Sequence, residues 1–319
     1  TTEASNVLTR DIDVATPRGI VSLLQQSDAQ LIHGFEENPS LVSSWMMQRL
    51  EAASAHVAHA LAQDRLVVIC GAGTSGRLAF FASREYNPLL RDARVPANLH
   101  YLQAGGDPAL LQSREGAEDS AALARHDIHQ LEHATGKRAG VIVGITCGFS
   151  ATYVGSLIEY AFDHSLPRIL LGFNQPDQVH PVHVERWGTT FADVLRRMLD
   201  DASRQSVVMH PSVGPEPITG STRMKGGSAT KMVLDCLLCS AIVRAQRMLP
   251  TPPALSSLPS ALADRSGLLA LLRCFADCAL TLYATCGDGL GQAVEAAGAA
   301  LRRKDGRIVY LGCGEAGVL

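Results

Sequence analysis

Aromatic residues are scarce in this chain of 319 residues, and neither sign of charge dominates. Phe, Trp and Tyr together make up 5%, which argues against a surface that stacks nucleic-acid bases. The 28 basic and 31 acidic residues leave a formal charge of −3, whereas proteins that bind nucleic acid or anionic membranes are usually basic. No uninterrupted apolar run approaches the ~20 residues that span a bilayer, and the polar N-terminus lacks a signal-peptide core. The sequence therefore predicts a cytoplasmic protein with neither nucleic acid nor membrane as a partner.

Most of the eight cysteines lie in apolar surroundings, which is typical of small buried side chains in a reducing compartment. Cys236 and Cys239 form a CxxC inside an apolar, helix-like run, and no second pair of zinc ligands lies nearby in the sequence. Core packing is therefore favoured over a metal or redox site, and no metal or cofactor is expected. With 46% apolar residues, the chain can form one large or two medium domains.

The spacing of apolar residues changes near residue 64. After an irregular arm (1–17), residues 18–63 repeat apolar positions every three or four residues, which predicts helices. Short apolar runs then alternate with helical stretches, which predicts an α/β fold with a parallel sheet and helices on both faces. The predicted strands are 66–70, 98–104, 140–146, 168–174 and 206–211, and the predicted helices are 108–135, 151–164, 188–203 and 225–248. A Pro-rich loop (249–260) and a further helix pair follow.

The last residues repeat an earlier pattern. The segment 307–319 reads RIVYLGCGEAGVL, and the segment 66–78 reads LVVICGAGTSGRL, with the three glycines of each in the same spacing. This indicates the first strand and loop of a second copy of one unit, truncated by the end of the chain, although chance recurrence is an alternative. We therefore divide the chain into an N-terminal arm with helices (1–63), an α/β domain (64–248) and a C-terminal part (249–319).

Two glycine-containing loops with hydroxyl side chains follow predicted strands. The first loop reads GAGTSG and contains Gly73, Thr74 and Ser75. Glycines let a ligand approach the backbone, and the helix that follows presents free N–H groups to an anion. The acidic residue that binds a ribose about 20 residues further on in dinucleotide-binding folds is missing here. The loop therefore predicts a site for a small phosphomonoester.

The second loop contains Thr146, Gly148 and Ser150 and follows the third predicted strand. Because parallel strands end at the same edge of a sheet, both loops are expected to hold one phosphate between them. A third loop, 214–228, is dense in Gly, Pro, hydroxyl and charged residues. Two interpretations of Arg223 and Lys225 in this loop stay open. Either they face a bound anion, or they are solvated charges that cap a helix.

Three glutamates are candidates for acid–base chemistry. Glu85 lies at the end of the helix that follows the first loop, and Glu115 and Glu118 lie in the segment SREGAED after the second strand. Two carboxylates beside a sugar can divide the work, one ionised as a base and the other protonated as an acid. Any one of them, taken alone, is more typical of an ordinary surface residue.

These motifs resemble the sugar isomerase (SIS) domain superfamily, and within it the N-acetylmuramic acid 6-phosphate etherases and glucokinase regulatory proteins. The resemblance covers residues 6–248 and rests on GAGTSGRL (71–78), AGGD (104–107), SREGAED (113–119) and GPEPITGSTRMKGGSATK (214–231). It implies a three-layer αβα sandwich around a five-stranded parallel sheet, in the flavodoxin-like SIS arrangement. It also implies a sugar 6-phosphate ligand bound by Gly73, Thr74, Ser75, Thr146, Gly148, Ser150, Glu216 and Ser221.

By the same resemblance, Glu85 and Glu118 match the two catalytic glutamates of the etherases. These enzymes eliminate lactate from the sugar and then add water, without a metal or nucleotide. The sequence departs from them in TCGFSATY (146–153) and in the second unit, where Glu315 and Ala316 replace the phosphate-binding hydroxyls; both features are closer to the regulators.

Three functions therefore stay open. The retained glutamates favour an etherase-like lyase. The alternative is a non-catalytic sugar-phosphate sensor that regulates a sugar kinase or another partner. An aldose–ketose phosphosugar isomerase is the third. We also expect a homodimer or an intramolecular pair of SIS units.

Overall fold

Five strands form a parallel sheet in the computed structural model, which describes residues 2–112, 114, 116–250 and 258–309. The strands are β1 (Leu66–Gly71), β2 (Leu99–Gln103), β3 (Ala139–Ile145), β4 (Arg168–Leu171) and β5 (Ser206–Met209). Their order in the sheet is β2-β1-β3-β4-β5, and every neighbouring pair is parallel. The five predicted strands are confirmed, although β4 and β5 end earlier than the apolar runs indicated.

Helices cover both faces of this sheet, so the predicted three-layer sandwich is confirmed. They are α1 (Pro17–His33), α2 (Ser44–Ala62), α3 (Gly73–Asp92), α4 (Pro108–Leu111), α5 (Ala121–Thr135), α6 (Thr152–Asp163), α7 (Phe191–Leu199), α8 (Lys225–Met248) and α9 (Arg265–Leu301). The helices α2, α3 and α8 lie on one face and α5, α6 and α7 on the other, whereas α1 and α9 pack against each other outside these layers. Alternate residues of β1 point to opposite faces: Val67 and Ile69 pack with α2, α3 and α8, whereas Val68 and Cys70 pack with α5 and α6. All six residues of β1 are buried, which is why the strand reads as a continuous apolar run.

The N-terminal helices share their core with the sheet. Leu50, Val57 and Leu61 of α2 are buried in the same cluster as Val207 of β5 and Val233 of α8. Both α1 and α2 begin at hydroxyl caps, since Thr16 accepts a hydrogen bond from the Gly19 amide and Ser43 accepts one from the Met46 amide. The division of the chain at residue 63 stays a prediction.

Two sequence-based predictions about helices are wrong. The predicted helix 108–135 is two helices, the short α4 and α5, with a loop between them that ends at the Ser120 cap of α5. The predicted helix pair after the Pro-rich loop is a short 3-10 helix (Ser260–Ala263) followed by a single helix of 37 residues, α9. The repeated glycines Gly312, Gly314 and Gly317, and with them Glu315 and Ala316, lie outside the described residues.

By length and composition alone, α8 and α9 are apolar enough to cross a membrane. The most apolar window of α8 is 78% buried, as expected for the core helix of a folded domain. The corresponding window of α9 is 11% buried, and Leu280 and Leu282 are about half exposed. Polar residues interrupt both helices, so a search for uninterrupted apolar runs overlooks them.

Candidate functional site

The strand order places a crevice at the carboxyl ends of β1 and β3. The chain leaves β1 toward α3 on one face of the sheet and leaves β3 toward α6 on the other face. Such a switch point is where ligands bind in open parallel sheets. Both predicted phosphate loops lie at this edge, so the structure brings them together.

The loop after β1 is a tight turn into α3. Gly73 has φ +54°, and a Cβ atom on Gly71 would lie 2.7 Å from the Gly76 nitrogen. Ser75 is buried, whereas Thr74 is half-buried beside the opening of the crevice. The α3 helix begins at Gly73, and its first amide groups therefore face this edge with their partial positive charge.

The loop after β3 is held by its own side chains and contacts the loop after β1. Thr146 is buried and its Oγ1 accepts a hydrogen bond from the Ser150 amide at 3.3 Å, while Ser150 is exposed. The Gly148 carbonyl accepts a hydrogen bond from Asn174 Nδ2 at 3.4 Å. Ser75 forms a hydrogen bond with the thiol of Cys147, which joins the two loops.

Cys147 is a site residue that sequence reasoning missed, because it was grouped with the packing cysteines. Burial raises the pKa of its thiol to about 11, against the smaller lowering effect of the hydrogen bond with Ser75. The group is therefore almost entirely a neutral thiol near neutral pH and is a poor nucleophile. The signal that could have found it is its position between Thr146 and Gly148, two predicted ligand-binding residues.

Glu216 is fully buried and caps α8. Its Oε2 accepts a hydrogen bond from the Lys225 amide and its Oε1 accepts one from the Gly226 amide, both at 2.8 Å. Burial raises the pKa of this carboxyl, and the two amide hydrogen bonds act in the opposite direction. Both oxygens are thus used to hold the start of the helix. A direct contact between Glu216 and a ligand stays a prediction.

The start of α8 lies against both hydroxyl loops. A Cβ atom on Gly226 would lie 3.2 Å from Cys147 Sγ, and one on Gly227 would lie 3.8 Å from Thr74 Cγ2. Because Glu216 accepts the amide hydrogens of Lys225 and Gly226, the first turn of α8 contributes a closely packed backbone wall to the crevice. Ser221 is half-buried in the loop before this helix, and its amide donates to the Ile218 carbonyl at 2.9 Å.

The N-terminal arm supports the same loop, which sequence reasoning did not predict. Asn6 Nδ2 donates to the Pro215 carbonyl at 2.8 Å, and Thr9 Oγ1 donates to the Pro217 carbonyl at 2.7 Å. The Glu216 amide donates to the Thr2 carbonyl at 3.2 Å. The arm was expected to be irregular, and these contacts show why its residues are ordered.

A cleft of about 280 Å³ opens beside Thr74. In the part of the chain that the structure describes, three arginines line it, Arg77, Arg114 and Arg223, together with one carboxylate, that of Glu118. The candidate Glu115 lies outside that part. Glu118 also borders a second cleft of about 350 Å³, which is lined by Gly148 and Ser150. The exposed Glu118 side chain therefore lies between the two loops, and the first cleft carries an excess of positive charge that suits an anion.

Glu85 does not line this cleft. It is eleven residues beyond Thr74 on α3, about 16 Å along the helix axis, and forms an ion pair with Lys231 of α8 at 2.9 Å. Lys231 lines a larger groove of about 750 Å³ that shares Thr74, Arg77 and Arg223 with the cleft. Glu85 and Glu118 are thus separated within this chain, and a joint catalytic role stays a prediction.

The two charges of the third loop have different environments. Arg223 is exposed and lines the cleft, whereas Lys225 is fully buried beneath it. The position of Arg223 thus fits a side chain that faces an anion. Lys225 is buried and fits neither an anion-facing side chain nor a solvated one. Among the described residues, no group of three or more His, Cys, Asp or Glu side chains is arranged to hold a metal ion.

The chain is similar to known proteins over about three quarters of its length. A family model for the glucokinase regulatory protein N-terminal SIS domain matches residues 49–162. The glucokinase regulatory protein of Homo sapiens is 39% identical over 256 residues, which cover 75% of this chain and 40% of that protein. N-acetylmuramic acid 6-phosphate etherase 2 of Vibrio cholerae is 33% identical over 244 residues, which cover 76% of this chain and 67% of that protein.

A solved phosphoheptose isomerase from Neisseria gonorrhoeae is more distant. It has 15% sequence identity and a TM-score of 0.41, with 70% of this chain and 92% of that chain covered. A likeness at this level says nothing about the ligand.

The fold and the site define a SIS-domain protein of the phosphosugar-binding class. Within that class, the chain belongs to the family that includes the N-acetylmuramic acid 6-phosphate etherases and the glucokinase regulatory proteins. It spans about two fifths of the length of the regulatory proteins that it matches.

Proposed function

We propose that the chain binds a sugar phosphate in the crevice between the β1 and β3 loops and acts as a sugar-phosphate sensor for a protein partner. The observation that carries this proposal is the composition of the cleft: Thr74, the start of α3 and three arginines line it, and Glu118 is the one carboxylate among its described lining residues. These groups bind a phosphate and the hydroxyls of a sugar. Within the described ranges, which leave out Glu115, no second acid for elimination chemistry lines this cleft.

The partner in this proposal is a sugar kinase whose activity depends on which sugar phosphate is bound. The relatives that are 39% identical to this chain are named glucokinase regulatory proteins, which supports a kinase as the partner. A small net charge of −3 and a largely apolar groove beside the cleft are compatible with a protein surface as partner.

An etherase-like lyase is the second candidate, and one observation favours it: Glu118 is an exposed carboxylate at the cleft and Glu85 is about one third exposed beside the adjoining groove. In that reaction Glu118 takes the C2 proton of the open-chain sugar, and the electron pair expels the ether oxygen at C3, which receives a proton from an acid. Water then adds to the resulting double bond. Glu85 supplies the acid only if another copy of the chain brings it to the cleft.

Lactate release distinguishes the two functions. The purified chain is incubated with N-acetylmuramic acid 6-phosphate, lactate is measured, and binding of fructose 6-phosphate is titrated in parallel by calorimetry. A sensor binds the sugar phosphate and releases no lactate. The etherase releases lactate, and Glu118→Gln abolishes the release by at least about 100-fold while binding is kept.

Glu159→Gln is a suitable control, because Glu159 lies on α6 and accepts a hydrogen bond from Trp187, away from the crevice. If neither lactate release nor fructose 6-phosphate binding is detected at millimolar ligand, both functions are wrong.

A further inference from the structure

Lys225 is the first residue of α8, and its side chain is fully buried. A positive charge is unfavourable at the N-terminus of a helix, where the backbone amides already carry partial positive charge. Burial adds a second cost, because the ammonium group loses its hydration. Two unfavourable contributions to the folding free energy at one residue require compensating contacts. These contacts indicate the role of the lysine.

The ammonium group contacts α1 and the loop before α8. Lys225 Nζ donates to Gln30 Oε1 at 2.6 Å and to the Pro215 carbonyl at 3.0 Å. Two carboxylates, Asp28 of α1 and Glu216 of the loop, are the charged groups that act on it. The side chain thus connects the start of α8 to α1, although more than 190 residues separate Lys225 from Gln30 in the chain.

The same contacts extend to α9. Tyr283 of α9 donates a hydrogen bond to Asp28 Oδ2 at 2.8 Å. An ion pair between Arg18 and Asp288, at 3.1 Å, joins the same two helices, but both side chains are largely exposed and contribute little. A partly buried path from α9 to α8 therefore runs from Tyr283 to Asp28 by a hydrogen bond and from Asp28 to Lys225 by electrostatic attraction.

We propose that Lys225 is a positioning residue for the ligand site: its charged side chain anchors the first turn of α8 to α1, and so holds Gly226 against Cys147 and Gly227 against Thr74. The Tyr283–Asp28 hydrogen bond extends this anchor to α9, so that the docking of α9 and the affinity of the crevice are coupled. The proposal rests on the proposed function only where a sugar phosphate is used as the reporter.

The charge on Lys225 changes within an accessible pH range. Burial lowers the pKa of its ammonium group to about 8, while Glu216 and Asp28 raise it. Below that pH the side chain is charged and attracts both carboxylates; above it the attraction is lost. The sugar phosphate itself keeps a constant charge above about pH 7, because its second pKa is near 6. Anion affinity should therefore fall between pH 7 and pH 9.

Two readouts test the proposal. The first is the Kd of fructose 6-phosphate at pH 7 and pH 9. The second is independent of any ligand: the alkylation rate of Cys147, followed by peptide mass spectrometry, reports whether the first turn of α8 still covers the thiol. Lys225→Met keeps the length of the side chain and removes the charge. Lys137→Met is the control, because Lys137 also forms an ion pair, with Asp64 at 2.6 Å, but lies before β3 at the opposite edge of the sheet.

At pH 7 we expect Lys225→Met to weaken binding about tenfold, the effect of one lost charge-assisted hydrogen bond. Alkylation of Cys147 should accelerate about fivefold. At pH 9 the variant and the parent should converge in both readouts, since the parent has then lost its charge. Tyr283→Phe should change both readouts in the same direction by a smaller factor. Lys137→Met should change neither.

If the Kd and the alkylation rate of Lys225→Met, each divided by the value of the parent, are the same at pH 7 and pH 9, Lys225 only fills space. That result would overturn the proposal. If Lys225→Met does not fold, the pH dependence of the parent decides alone: a Kd that is constant from pH 7 to pH 9 contradicts it. If Tyr283→Phe changes neither the Kd nor the alkylation rate, the docking of α9 is not coupled to the crevice. Absence of fructose 6-phosphate binding refutes the proposed function, while the alkylation rates still test Lys225.

Discussion

Gly76 makes the closest backbone approach in the loop after β1. A Cβ atom at this position would lie 1.7 Å from Gln103 Oε1 and 2.7 Å from the Gly71 carbonyl oxygen. Gln103 is buried at the end of β2, and the Gly71 carbonyl oxygen belongs to the backbone of β1, where it accepts a hydrogen bond from the Ala104 amide at 3.0 Å and cannot withdraw. The contact between α3 and the sheet at this point therefore requires a residue without a side chain.

Gly76→Ala should consequently destabilise the protein and distort the loop. We expect a loss of roughly 1–3 kcal/mol in the free energy of unfolding, the usual cost of overpacking, together with weaker binding of fructose 6-phosphate. Urea denaturation and a binding titration measure the two effects. Gly188→Ala is the control, because nothing lies within 4 Å of the Cβ position there. Equal stability of the two variants would contradict this account.

At the scale of single residues, local signals were predictable and distant contacts were not. Thr74 and Ser150 could be found because a glycine-containing turn with hydroxyls directly follows an apolar strand. Lys225 was named as a candidate, but the role of its buried side chain was not predictable, since its partner Gln30 lies far away in the sequence. Cys147 was overlooked, although it lies between Thr146 and Gly148. Glu216 was found as a site residue, but its position nine residues before the helix that it caps concealed that role.

Between elements, a partly buried ion network joins α3 to α8. Lys231 Nζ contacts Asp235 at 2.7 and 2.9 Å and Glu85 at 2.9 Å. Tyr86 of α3 donates a hydrogen bond to Asp235 Oδ1 at 2.9 Å. The two carboxylates differ in exposure: Asp235 is buried, whereas about one third of the Glu85 side chain is exposed. Their contributions to stability should therefore differ as well.

We expect Asp235→Asn to cost about 2 kcal/mol, because it weakens two buried hydrogen bonds and leaves Lys231 with one carboxylate. Glu85→Gln should cost less than about 1 kcal/mol, as is usual for a solvent-screened ion pair. Chemical denaturation of both variants gives the comparison. A larger loss for Glu85→Gln than for Asp235→Asn would show that the network is centred on α3 instead of on α8.

At the scale of elements, periodicity predicted most helices but missed the continuity of α9. Its second half contains Gly287, Gly289 and Gly291, and glycines inside a helix normally indicate an interruption. Packing explains one of them: a Cβ atom on Gly291 would lie 3.5 Å from the Cα atom of Arg18, at the start of α1. A sequence pattern does not show that two helices approach each other closely at a glycine. This approach is compatible with a helix that continues through Gly291.

For the molecule as a whole, the crevice is a meeting point of segments that are distant in the chain. The loops after β1 and β3 contact each other and the first turn of α8, while the N-terminal arm contacts the loop before α8 and α1 contacts the start of α8. The sheet order fixes the place of the crevice. The alternation of strands and helices predicted a parallel sheet, and the family resemblance implied its flavodoxin-like arrangement. The bracing by the N-terminal arm was not, because an irregular segment carries no periodic signal.

A ligand that binds such a crevice should stabilise the entire fold and not only the two loops. Fructose 6-phosphate at 100 times its Kd contributes about 2.7 kcal/mol, which for a chain of this size raises the Tm by roughly 5 °C. Scanning calorimetry measures this shift, with unphosphorylated fructose as the control, because the arginines and helix N-termini of the cleft act on the phosphate. Hydrogen exchange then locates the stabilisation. Since α1 and α8 are joined to the crevice through Lys225, their amides should gain protection together with the loops. Protection confined to residues 71–76 and 146–150 would contradict this coupling, and an equal Tm shift with fructose would contradict the role of the phosphate.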